Sequence, residues 1–268
     1  MSGTLVGETL ELLRRLHGPA LAGLRIERAV VGAVFSGVKL SDGSGGIAGS
    51  PRSEERPLAK ERLAQPPGAL RGVSALSLID PWPQEPYRRA LAAAALNALC
   101  ARWLEGGRYR VVYDRDALEL VELRPGMKVG LVGAFPSYID RLKAVKGVSL
   151  QILELRESAV RPEDKHLYVP AERSAEVVPS CDVLVVTGLT VVNGTLDGLL
   201  RLAAGKSAVI VVGPSGSLLP EPLFRRGVVW AGGCVLTDAD AALELLSQGA
   251  CARHLYGSCA RRINLALL

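Results

Sequence analysis

Hydrophobic and polar positions change rhythm near the middle of the chain, and that change predicts two kinds of architecture. Residues 9–16 carry apolar positions at helical spacing. The following stretch, LRIERAVVGAVFSGVKLSDGSGGIAGSP, reads as two strands about a glycine-rich turn at Asp42-Gly43, an antiparallel hairpin. Residues 50–72 are rich in charge, proline and glycine, with at most a short helix over 57–64, and form either an excursion or a loop over a site. A long helix then begins at Pro86, runs through YRRALAAAALNALCARWLEGG, and stops at Gly106-Gly107.

Beyond Arg110 strands and helices alternate. Strands are expected at 128–132, 150–155, 182–186, 207–212 and 228–230, with helices at 137–145, 194–204 and 239–247. Repeated β-α-β order leads to a parallel sheet covered on both faces, because crossovers between parallel strands are right-handed. The predicted fold class is α/β: a Rossmann-like parallel-sheet domain over 116–268, preceded by a smaller α+β domain over 1–115.

The ends of the predicted strands carry the candidate chemistry. In DVLVVTGLTVVNGTLDGLLRLAAGKSAVIVVGPSG, residues 182–216, two apolar β-branched runs stop abruptly at small polar residues, as buried parallel strands do at a ligand crevice. Asn193 is placed to cap a helix beginning at Gly194, and Thr187, Gly188, Thr190 and Thr195 surround it with hydroxyls and open backbone. Gly213, Pro214 and Ser215 form a second small loop suited to an anion or a metal-bound oxygen. A third loop lies in VGLVGAFPSYIDRL, where Gly133 allows close backbone approach and Phe135-Pro136 leads into a helix, without the full G-x-G-x-x-G fingerprint. Glu154 follows Gly133 by about twenty residues, the spacing at which nucleotide-binding folds keep an acid for a ribose hydroxyl. Helix capping, tight turns and a solvated strand-end charge account for the same residues without a ligand. Asn97 interrupts an apolar helix and either orients the first half of the cleft or makes a buried hydrogen bond.

Composition narrows the classes. The chain has 268 residues, 49% of them hydrophobic, enough for a sizeable core, while its apolar run at 90–99 is too short to cross a bilayer. No membrane association is expected, and the opening residues lack a leader pattern, so the expected location is cytoplasmic. The net charge of +5 comes from basic residues interleaved with acids, and aromatics are 4% of the chain, so nucleic acid is not an expected partner. A basic group at Arg253, His254, Arg261 and Arg262 reads as a solvated face or an interface. The five cysteines show no disulfide framework. Cys251, His254 and Cys259 supply three candidate metal ligands as C-x2-H-x4-C, though without paired C-x-x-C units. No motif of a nucleophilic hydrolase, zinc protease or Walker-type nucleotide hydrolase is present, so no catalytic residue is assigned and enzymatic activity is left open.

Four segments together resemble a known family: VGLVGAFPSYIDRL, DVLVVTGLTVVNGTLDGLL, VVGPSGSLLPEPLFRRGV and the helix RRALAAAALNAL. They are similar to prokaryotic proteins of unknown function grouped under heavy-metal chelation (DUF364, often preceded by a DUF4213 segment). The family's T-G-x-T-x-x-N-G-T-L-D, G-P-S and G-x-F-P patterns fall on 187–197, 213–215 and 133–136. The resemblance implies a first domain like the N-terminal domain of enolase, a Rossmann-like second domain, and a ligand in the cleft between them. The Cys251, His254 and Cys259 trio is not part of it. The resulting expectation is a homodimer that binds a small-molecule anion, a metal ion or a metal chelate, in cofactor or corrinoid metabolism, with a metal ion as the candidate cofactor. An enzyme acting on a nucleotide-like or methyl-donor substrate, and a dimeric scaffold delivering metal or cofactor, are the alternatives.

Overall fold

The computed structural model describes residues 3–51, 66, 68–205 and 207–268. Helix α1 (Leu5–His17) starts a turn earlier than its apolar pattern, because Thr4 caps it by accepting from the Gly7 amide at 3.1 Å. A second cap comes from the far half of the chain: the Asp197 carboxylate accepts from the Leu5 amide, both oxygens at 3.2 Å. Arg226 completes this joint by pairing with Glu8 and Asp197.

Strands β1 (Ile26–Val31), β2 (Phe35–Leu40) and β3 (Gly45–Gly49) form an antiparallel sheet in that order. The expected hairpin of two strands is therefore three strands. The extra reversal lies at 32–34, closed by the Gly32 amide donating to the Phe35 carbonyl at 3.2 Å. The short helix expected at 57–64 lies outside the described residues. After α2 (Ala75–Ile79), helix α3 (Pro86–Leu104) begins as predicted, with Pro86 in its first turn and the Glu85 side chain capping the Tyr87 and Arg88 amides. Every residue from Ala90 to Cys100 is buried, as befits a helix enclosed on all sides. Its contact with β3 is backbone against backbone: a β-carbon on Gly46 would lie 2.3 Å from the Ala94 carbonyl oxygen and from the Ala98 amide nitrogen.

The second half builds an eight-stranded sheet from β4 (Arg110–Tyr113), β5 (Lys128–Val132), β6 (Ser149–Glu154), β7 (Tyr168–Pro170), β8 (Val183–Thr187), β9 (Ala208–Val212), β10 (Val228–Leu236) and β11 (Ala260–Ala266). The order is β4-β11-β10-β9-β8-β5-β6-β7, with β5 to β10 parallel and β11 antiparallel to both β10 and β4. The fold is thus mixed α/β, a mostly parallel large sheet with a small antiparallel one. Strands β4, β7 and β11, and the second half of β10, go beyond the expected set.

Its helices are α4 (Pro136–Lys143), α5 (Ser174–Val177), α6 (Leu189–Asn193), α7 (Leu196–Ala203), α8 (Glu221–Phe224), α9 (Ala239–Ser247) and α10 (Ala252–Leu255). The single helix expected over 194–204 is two, separated by Gly194 in the left-handed region at φ 78°. Asn193 therefore ends α6 and is not the cap of α7. Its Oδ1 instead accepts from the Thr195 amide at 3.2 Å and hydroxyl at 2.6 Å. One face of the large sheet packs on α4 and the 3-10 turn Ala117–Leu120, and the other shares a continuous core with α1 and α3. Among the described residues no helix is long and apolar enough to cross a membrane. The cysteines are free thiols, and burial pushes those of Cys100 and Cys234 up to about 12.

Candidate functional site

Strand β5 enters at the middle of the sheet. The chain then lays β6 and β7 on one side of it and returns to place β8, β9 and β10 on the other. The reversal between β5 and β8 is the position at which open α/β sheets bind ligands, outside the carboxyl ends of the strands. Three neighbouring strands end there on glycine: β5 at Gly133, β8 at Gly188 and β9 at Gly213.

The three glycines serve different needs. Gly133 has φ 102°, and a β-carbon on it would stand 3.2 Å from both the Phe135 ring and the Thr187 methyl, so these three residues converge. Gly188 is the contact point of the next loop, where a β-carbon would lie 2.5 Å from the Gly216 amide nitrogen. Gly213 has φ 101° and ψ 161°, a conformation essentially confined to glycine, and a β-carbon there would meet nothing within 4 Å.

The polar groups around these turns hold the loops together. Glu154 at the end of β6 accepts from the Ala134, Leu155 and Arg156 amides at 3.1, 2.8 and 3.3 Å, tying its strand end to the neighbouring glycine turn. The Thr187 hydroxyl accepts from the Leu189 amide at 3.2 Å, and the buried Thr190 hydroxyl donates to the Thr187 carbonyl at 2.6 Å. Pro136 opens α4 as expected.

Pro214 and Ser215 turn inward and join the two halves of the molecule. Ser215 is buried, and its Oγ accepts from the Gly49 amide of β3 at 2.8 Å. The Asn97 amide group of α3 donates to the Ile47 carbonyl at 2.8 Å and to the Pro214 carbonyl at 3.2 Å. Of the two roles open to Asn97 from sequence, the buried hydrogen bond is the one observed.

The sequence-predicted residues thus divide. Gly133, Phe135, Pro136, Glu154, Thr187, Gly188 and Gly213 gather at the strand ends. Thr190 and Gly194 line a separate depression of about 230 Å3 with Thr4, Trp82 and Asp197, and Asn193 and Thr195 are exposed on the turn beside it.

A polar group missed from sequence adjoins the strand ends. Phe135 lies 5.6 Å from the Tyr138 ring, and the Tyr138 hydroxyl donates to Asp116 at 2.6 Å. Asp116 also accepts from the Leu118 amide and stands 3.3 Å from Arg141 and 3.7 Å from Arg262, whose guanidinium covers the Tyr256 ring at 4.8 Å. Burial, and then the Asp116 carboxylate, push the Tyr138 hydroxyl well above the usual phenol range, so it stays a donor. The available signal was Tyr138 three positions after Phe135, one helical turn along α4.

The Cys251, His254 and Cys259 trio does not assemble. His254 Nδ1 accepts from the Cys251 amide at 3.1 Å and lies 3.5 Å from its sulfur, closing the first turn of α10. Cys259 is buried, with its sulfur toward the Leu255 carbonyl. Among the described residues, no three His, Cys, Asp or Glu side chains are placed to hold a metal ion.

Comparison with known proteins fits this architecture. Residues 116–265 match DUF364 and residues 14–100 match DUF4213, each described as "Putative heavy-metal chelation". An uncharacterized protein of Methanocaldococcus jannaschii is 27% identical over 162 residues, 59% of this chain and 58% of that protein, so the chain matches under two thirds of its relative's length. Crystal structures of two DUF364 proteins of unknown function share the fold. That from Pyrococcus horikoshii has a TM-score of 0.78 at 20% identity, over 98% of this chain and 100% of the other. That from Desulfitobacterium hafniense has a TM-score of 0.71 at 22% identity, with the same coverage of both chains. With more than half its length inside the first match, the chain belongs to the DUF364 family.

Proposed function

We propose that the protein binds a small anionic metal chelate at the carboxyl ends of β5, β8 and β9. The observation that carries this reading is the run of three adjacent strand ends closing on glycine at the sheet's reversal point, with Gly213 held in a glycine-only conformation and opening on free space. The family description supports a metal as cargo. The described side chains do not fit a bare ion, since no ligand set converges among them. A metal arriving with its own ligands requires a different surface: close backbone approach, a hydroxyl and a positive charge for the chelator's oxygens. Gly133 and Gly213 offer the first, Thr187 the second, and Arg141 and Arg262, both held by Asp116, the third.

The test is native mass spectrometry with elemental analysis on protein purified without a metal-affinity tag, followed by titration with free nickel and with nickel nitrilotriacetate. The expected result is preference for the chelate, lost in Gly213→Ala and retained when Cys251, His254 and Cys259 are all replaced by alanine. Binding of free nickel alone, or binding lost only in the triple variant, would overturn the reading.

A further inference from the structure

A cavity of about 560 Å3 lies in the first half of the chain, against β1, α2 and α3. Its size is within the range of small-molecule sites, roughly 300–1,000 Å3. The walls combine an apolar surface from Ala29, Leu70, Leu78 and Leu91 with the guanidinium-bearing side chains of Arg71 and Arg88.

The charges around this cavity are unevenly compensated. Glu27 and Arg28 also line it, but Glu27 is paired with Lys39 at 3.0 Å and Arg28 with Glu244 at 3.2 Å. Neither Arg71 nor Arg88 has a carboxylate partner among the described residues. The Nε atom of Arg88 is also buried without a hydrogen-bond acceptor. A buried donor left unmet is costly, and native proteins pair nearly all of them. The edge of a guanidinium that includes Nε is one of the two that bind a carboxylate through parallel hydrogen bonds.

The geometry points to a second binding site here, for a small carboxylate with an apolar body: the hydrocarbon lies on Leu70, Leu78 and Leu91, and the carboxylate meets Arg88 and Arg71. This site is independent of the strand ends. It uses no residue of the chelate surface and does not depend on that reading.

Isothermal titration of the full chain with octanoate tests it, with octanol as the neutral counterpart. Octanoate is expected to bind at least about tenfold more tightly than octanol, since a charge-assisted bidentate contact is lost with the alcohol. Arg88→Met should bring octanoate down to the level of octanol, Arg71→Met should weaken it less, and Ala29→Phe, which fills the cavity, should abolish both. Gly213→Ala should leave octanoate binding unchanged. Absence of octanoate binding, equal affinity for octanol, or indifference to both Arg88→Met and Ala29→Phe would overturn the proposal. Loss of octanoate binding in Gly213→Ala would overturn the independence of the two sites. Circular dichroism identifies a variant that fails to fold. Should Arg88→Met do so, Arg71→Met and Ala29→Phe decide by the same criteria.

Discussion

The seam between β3 and α3 and the strand ends at β5, β8 and β9 are both written in glycine, yet they use it for opposite purposes. At the seam Gly46 has no space for a side chain, because the backbone of α3 occupies it. At Gly213 there is space, but the backbone conformation admits little besides glycine. A glycine that makes room for another part of the same chain is a packing device. A glycine that fixes a turn facing outward leaves a surface for something else.

The sharpest way to test this contrast is Gly46→Val, which sets carbon atoms against two backbone atoms that cannot move independently. It should cost at least about 3 kcal/mol or prevent folding, read by denaturant unfolding and soluble yield. Gly213→Ala should cost about 2 kcal/mol through its dihedral angles alone, with the unfolding slope unchanged. A loss equal to that of Gly46→Val would break the distinction. Ser215→Ala, which leaves the buried Gly49 amide without its acceptor, should cost about 1–2 kcal/mol. Paired with Asn97→Ala in a double-mutant cycle, it should show coupling of about 0.5 kcal/mol or more, because both side chains fasten the same loop to the first half.

A pH-dependent effect concerns a joint outside both regions. The Arg226 and Arg225 guanidiniums hold the Glu8 carboxyl down to about 2, from an ordinary value of 4.5. A carboxyl depressed in the folded state stabilises fully above its unfolded value, and this contribution is lost as pH falls from 4.5 toward about 2. With solvent screening the contribution is about 1 kcal/mol, so Glu8→Gln should lower stability at pH 7 and flatten its acid dependence within that window.

Much of the large sheet was legible because its strands are buried on both faces and read as unbroken apolar runs: the expected β5, β6, β8 and β9 lie within one residue of the observed ones at each end. Helix α9 coincides with its expected span. Strand β11 escaped because Arg261 and Arg262 suggested a basic surface. In the fold their guanidiniums lie over Tyr113 and Tyr256, and the strand's buried Asn264 donates to the Arg115 carbonyl. The inward turn of Pro214 and Ser215 carries no local signal at all, since its cause is the arrival of β3 and α3 from more than a hundred residues earlier. The Cys and His trio shows the converse limit: spacing along the chain says which residues are close in sequence, but not which way each side chain faces.

The cap that Asp197 supplies to α1 has a consequence for the order of events during synthesis. Helix α1 reaches the carboxylate that accepts from its Leu5 amide only after nearly two hundred further residues have been made, and Arg226, which fastens the same joint, comes later still. Contacts of such separation are slow to form and leave the early segment incompletely tied in the meantime. In this protein α1 is fastened only once Asp197 and Arg226 have been made.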